Sequence, residues 1–202
     1  MCPWLLLKMY GIDFNEIQIK LFQDNTAEKL GPYSPSLKVP VLLYKSITIW
    51  DSLSICEFIS ENLLNGFGWP TDLKSKANAR SISAEVHSEF TTLKKEWPMN
   101  CKASYRVNPS DELQNEIARI NTIWGYYRQR FAGNGDYLYG RFSIADCMFA
   151  PVAVSFKSYG AELCKEANTY METLLKNPFV NEWKISGRRE KENLSIAYAK
   201  SA

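Results

Sequence analysis

The residues best placed to do chemistry lie in one stretch, SLKVPVLLYKSITIWDSLSICEFISE, beginning at Ser36 and ending at Glu61. Proline has no N–H and is confined to strand edges and bulges. Pro40, inside an otherwise apolar and β-branched run, therefore predicts an edge where the Val39 backbone is free to pair with an extended, peptide-like ligand. An X–Pro bond is also the peptide link that adopts the cis form most readily. Farther along, Asp51 and Ser52 precede Leu53, Cys56, Ile59 and Leu63, which recur at helical spacing. A helix start with exposed N–H groups and a hydroxyl suits a carboxylate. Each feature has a plainer reading. Asp or Ser before a helix is ordinarily an N-cap, and proline in a short strand is ordinarily an edge residue. The informative part is their order.

The scaffold for these residues can be read from the same stretch. Residues 38–44 have the content of a buried strand, Lys45 and Ser46 make a two-residue turn, residues 47–50 return as a second strand, and a helix starts after Asp51. Ahead of them, Trp4, Leu5, Leu7 and Met9 mark a helix stopped by Gly11, and residues 14–21 alternate apolar Ile17, Ile19 and Leu21 with polar Glu16, Gln18 and Lys20, which predicts a half-buried strand.

This arrangement resembles the glutathione-binding half of the soluble glutathione S-transferases, an α/β thioredoxin-like domain. The resemblance implies that Val39, before a cis-proline at Pro40, pairs with the cysteinyl part of glutathione. It further implies that Asp51 and Ser52 hold the γ-glutamyl end and that Lys38 stands near the glycyl carboxylate. In the family a further strand and a turn carrying a catalytic Ser, Cys or Tyr precede the first helix. The stretch CPWLLLKMYGIDF aligns with the family's residues just after that turn, so about 10 to 15 residues, a strand of typical length and its turn, are expected upstream of Met1, with the catalytic group among them. Cys2 is read as a helix residue, since nothing near it in sequence would lower its pKa.

The rest of the chain reads as helical. Residues 65–70, with Gly66, Gly68 and Pro70, form a linker between a first domain over 1–64 and an all-α domain over 71–186, with a tail over 187–202. Ala79, Val86, Phe90, Leu93 and Trp97 predict one long helix over 72–97 closed by Pro98. Asn108 reads as a cap with Pro109 at the first helical position of a second long helix, whose stripe is Leu113, Ile117, Ile120, Trp124, Tyr127 and Phe131. Two such helices joined by a short loop pack antiparallel. Residues 133–136, Gly-Asn-Gly-Asp, follow a helix and not a strand, so they are a loop and no phosphate cradle.

Ser143 and Asp146 form a capping box opening an apolar helix that Pro151 should kink, and this S-x-A-D pattern resembles the start of a buried helix in the family's second domain. Helices over 165–175 and 178–185 follow. SAEVHSEF and WPMN are similar to segments that a bacterial subgroup places along its second-substrate pocket, which would make His87, Phe90, Trp97 and Met99 contacts for an electrophile. The plainer reading is a hydrogen-bonded histidine and packed aromatics.

Composition bounds the partners. In 202 residues, 46% apolar, 24 basic and 22 acidic side chains leave a net charge of +2, which argues against a nucleic-acid or membrane-surface footprint. The run Arg188-Arg189-Glu190-Lys191 reads as a solvated helix face. Five cysteines without paired spacing suit a reducing, cytoplasmic compartment, and one histidine without a ligand cluster argues against a metal. The resemblance implies a homodimeric detoxification transferase that uses glutathione as co-substrate against small hydrophobic electrophiles. The alternative is a non-catalytic glutathione-binding or scaffold protein of the same fold.

Overall fold

The computed structural model describes residues 1–102 and 104–191. Helix α1 (Cys2–Met9) and the short α2 (Thr26–Leu30) precede a hairpin of β1 (Val41–Tyr44) and β2 (Ile47–Trp50), and α3 (Ser52–Leu63) comes at once after it. The strands pair antiparallel with Val41 opposite Trp50 and Tyr44 opposite Ile47. Strand β1 starts at Val41, later than predicted, because Pro40 supplies no donor to the ladder.

Residues 14–21 form no strand, contrary to their alternation. A strand needs a neighbour as well as a pattern, and among the described residues the sheet contains β1 and β2 alone. A cavity of about 620 Å³ separates the 14–19 segment, with Phe14, Ile17 and Ile19, from the 39–44 segment, so the alternating run has no ladder to join.

The predicted helix over 72–97 is two helices, α4 (Leu73–Ser88) and α5 (Thr91–Glu96), broken at Phe90, whose φ of 52° is left-handed. The break is stabilised from a distance. Both oxygens of Glu116 accept from the first free N–H groups of α5, Thr92 at 3.1 Å and Leu93 at 2.6 Å, while Lys94 Nζ donates to the carbonyls of His87 and Glu89 that end α4.

Helix α6 (Asp111–Phe131) begins later than Asn108-Pro109 suggested. Ser110 takes the capping role, its hydroxyl accepting from Leu113 N–H at 3.2 Å and donating to Glu96 at 2.9 Å. The predicted stripe faces inward, with Leu113, Ile120 and Trp124 fully buried. The two long helices find other principal partners, α6 on α5 and on a helix over 165–176, α4 on a helix over 144–159. They are linked through Arg119 and Glu85 at 2.6 Å.

After a single 3-10 turn over Ala132–Asn134 comes α7 (Ile144–Tyr159), buried along most of its length and packed against α1, α4 and α8 (Lys165–Lys176). Its capping box closes as predicted, with Ser143 N–H and Oγ both donating to Asp146 Oδ2. The helix continues through Pro151, whose carbonyl accepts from Ser155 Oγ at 3.2 Å. Helices α8 and α9 (Pro178–Arg189) complete the core. The predicted tail begins inside α9, and residues 192–202 lie outside the described residues.

Two contacts fix the first elements against the helical region. Tyr10 donates to the carbonyls of Phe67 and Phe142, at 2.9 and 3.2 Å. Gly68 accepts from Ile144 N–H at 2.8 Å, an approach that excludes a side chain, since a Cβ at Gly68 would stand 2.7 Å from Ser60 Oγ.

Candidate functional site

The hairpin register decides what can act together. Because Val41 faces Trp50, the residues just before β1 and just after β2 share one end of the sheet, and Val39 and Pro40 lie beside Asp51 and Ser52. The Val39–Pro40 bond is cis. Val39 is half exposed, and its N–H and C=O make no hydrogen bond among the described residues. It thus offers one donor and one acceptor to an extended ligand.

The segment is held from below by a residue that sequence reasoning missed. The hydroxyl of Ser34, itself buried, accepts from Lys38 N–H at 3.1 Å and donates to Lys38 C=O at 2.8 Å. This clamp satisfies both backbone groups of Lys38 and leaves those of Val39 outward, while the Lys38 side chain is exposed. A serine in a Pro-rich loop gives no sequence signal of such a role. Ser34→Ala is expected to cost about 1–2 kcal/mol for two lost hydrogen bonds. Urea unfolding measures that cost, and a midpoint unchanged from wild type would show that the clamp carries no load.

On the other side, Asp51 caps α3. Its Oδ1 accepts from Leu53 N–H at 2.9 Å and Ser54 N–H at 3.2 Å, while Oδ2 meets His87 Nε2 at 2.7 Å. Its backbone is at φ 76° and ψ 135°, a conformation that costs an L residue about 1–3 kcal/mol and persists only when the surroundings impose it. Here the cap and the histidine impose it. Ser52 is partly exposed, and its N–H and hydroxyl have no hydrogen-bond partner among the described residues. An N–H and an O–H at the start of a twelve-residue helix, with an acidic side chain adjoining, suit a group bearing both a carboxylate and an ammonium.

The four residues aligned with a second-substrate pocket have different surroundings. His87 is engaged with Asp51, so its place is beside the α3 start. Phe90 is buried at the α4–α5 break, Trp97 is buried and stacked on Tyr159 at 5.3 Å, and Met99 is partly exposed beyond α5. None of the four lines the 620 Å³ cavity, whose walls include Leu7, Phe14, Val39, Leu42, Ile55 and Trp183. Cys2 is a residue of α1, and burial, the largest influence on it, pushes its thiol up, away from the thiolate form. Among the described residues no group of three or more His, Cys, Asp and Glu is arranged to hold a metal ion.

Comparison with known proteins agrees with this architecture. Residues 2–62 match the family model of the glutathione S-transferase N-terminal domain. A probable maleylacetoacetate isomerase of Caenorhabditis elegans is 28% identical over 95 residues, a match spanning 46% of this chain and 44% of that relative. Among solved structures, a Burkholderia glutathione transferase homologue with bound glutathione superposes with a TM-score of 0.68 at 20% identity, covering 94% of this chain and 91% of the other. A bacterial maleyl pyruvate isomerase, described as a Zeta-class glutathione S-transferase, gives 0.66 at 15% identity over 95% and 94% of the two chains. Residues 2–62 are therefore similar to a glutathione S-transferase N-terminal domain, and the chain has the glutathione S-transferase fold.

Proposed function

We propose that the chain binds glutathione across the end of the hairpin and transfers it to small hydrophobic electrophiles. The observation that carries this reading is the shared position of two unpaired sets of groups, the Val39 backbone and the Ser52 N–H and hydroxyl, on either side of Asp51. Glutathione fits them in order. Its cysteinyl amide pairs with Val39, its γ-glutamyl carboxylate meets the α3 N-terminus at Ser52, its ammonium faces Asp51, and Lys38 lies toward the glycyl carboxylate. The thiolate then attacks the electrophilic carbon, the new C–S bond forming as that carbon's bond to its leaving group breaks and the leaving group departs with the electron pair, and a donor to the sulfur raises the thiolate population near neutral pH. Cys2, its thiol pushed up by burial, is no competing thiolate nucleophile. A homodimeric, cytoplasmic enzyme is part of the same proposal.

The isomerase relatives favour a second chemistry at the same site, a glutathione-dependent isomerisation in which the thiol is regenerated. Consumption of glutathione separates the two.

Retention on glutathione-agarose together with conjugation of a chromogenic electrophile is the expected result. Ser52→Ala should weaken glutathione binding about tenfold or more, the worth of a hydrogen bond to a charged group, and Cys2→Ser should leave turnover unchanged. Failure of the wild-type chain to bind glutathione overturns the reading. Binding without turnover reduces it to a glutathione-binding protein.

A further inference from the structure

A second polar site lies away from the hairpin, where residues 100–102 and 104, the end of α7 and the end of α9 meet around a cavity of about 80 Å³. Its lining contains Lys102, Lys157, Lys184 and Arg188 and no carboxylate. A hollow needs only about 10–15 Å³ of such space to admit one water, so this one has room for a tetrahedral oxyanion.

Three of the four cations are held by the protein itself, Arg188 and Lys102 on backbone carbonyls and Lys157 in an ion pair. Arg188 Nε donates to Cys101 C=O at 2.8 Å, Lys102 Nζ to Glu190 C=O at 2.6 Å, and Lys157 pairs with Glu172 at 2.8 Å. The loop is fixed to α7 by Ser158 Oγ donating to Asn100 C=O and by Tyr105 N–H donating to Ser158 C=O, both at 2.7 Å. Against α9 it packs directly on Gly187, where a Cβ would stand 3.3 Å from Cys101 Sγ. Lys184 alone of the four makes no hydrogen bond or ion pair among the described residues. Burial, and then the neighbouring Arg188, push its ammonium below the ordinary lysine range, with Cys101 and Glu172 acting more weakly the other way. Positive groups gathered around a small hollow with no carboxylate in its lining attract an anion.

We propose that this hollow is a binding site for a dianionic tetrahedral oxyanion, inorganic phosphate or a small phosphate monoester, with Lys184 as its principal ligand and Arg188 beside it, Lys157 and Lys102 bordering the hollow. The site is separate from the glutathione reading and does not depend on it. The run beginning at Arg188 is exposed, as a solvated face should be, and Arg188 also bonds the Cys101 carbonyl.

Titration calorimetry of the full chain with inorganic phosphate, at ionic strength held constant with sodium chloride, tests the proposal. Saturable binding is expected, weakened about tenfold or more in Lys184→Gln, while retention on glutathione-agarose is unchanged in that variant. Glycerol phosphate tested alongside separates the sources: tighter binding than inorganic phosphate identifies an ester ligand, equal or weaker binding the free anion. Heat that does not saturate, or equal affinity in wild type and Lys184→Gln, would overturn the site. Circular dichroism of Lys184→Gln, expected to match wild type, shows that the variant is folded.

Discussion

Asp146→Asn is expected to destabilise the protein by about 2–4 kcal/mol, although it changes one atom. The Asp146 carboxylate is fully buried and accepts four hydrogen bonds: Leu138 N–H at 3.0 Å and Tyr170 OH at 2.8 Å on Oδ1, Ser143 N–H at 2.8 Å and Ser143 Oγ at 3.0 Å on Oδ2. Each oxygen faces a backbone N–H that cannot reverse its polarity. Whichever way an asparagine amide is turned, its NH₂ group confronts a donor, and one backbone group is left unsatisfied inside the core. The same carboxylate ties the 137–143 loop, the start of α7 and, through Tyr170, α8, so its loss loosens three elements at once. Asp146→Ala removes every acceptor and leaves a void, and should cost more than about 4 kcal/mol. Tyr170→Phe, which removes one donor and strands none, should cost only about 1 kcal/mol. Denaturant unfolding of the three variants checks this order, and an Asn variant as stable as wild type would contradict it.

The second large effect is expected at Asp51, where stability and binding separate. Asp51→Ala removes the α3 cap and costs about 1 kcal/mol of stability, and on the proposed reading it also removes the counter-charge for the γ-glutamyl ammonium. Asp51→Asn keeps an oxygen for Leu53 and Ser54, and asparagine tolerates positive φ better than most residues. It should therefore retain most of the stability. Both substitutions should weaken glutathione binding by about 10- to 100-fold, the range for hydrogen bonds to charged groups. Paired unfolding and calorimetric titration read the two effects. Asparagine with undiminished glutathione affinity would show that the Asp51 charge is not used.

What the sequence disclosed was the part that depends on neighbours close along the chain. The hairpin turn at Lys45-Ser46, the α3 cap, the capping box at Ser143 and the inward stripe of α6 each rest on residues within a few positions of one another, and each is found. The failures share a different origin. Residues 14–21 have a strand's alternation, but whether that becomes a strand depends on a ladder partner, and a cavity lies where one would pair. The break at Phe90 is fixed by Glu116, which is remote in sequence, and Ser110 outcompetes Asn108 as a cap partly through Glu96. Trp97 has the spacing of a groove residue and of a core residue alike, and only its stacking on Tyr159 distinguishes them.

Within the candidate site, Val39, Pro40, Asp51 and Ser52 were legible because the hairpin that joins their ends is local. The Ser34 clamp and the His87 contact to Asp51 were not, since each requires a fold to bring it there.

The most direct measurement is a glutathione titration of ¹⁵N-labelled protein followed amide by amide. The Val39 and Ser52 signals should move together along one saturation curve, with the Lys184 amide unmoved. Saturable shifts elsewhere that leave the Val39 and Ser52 amides in place would contradict the account at its root.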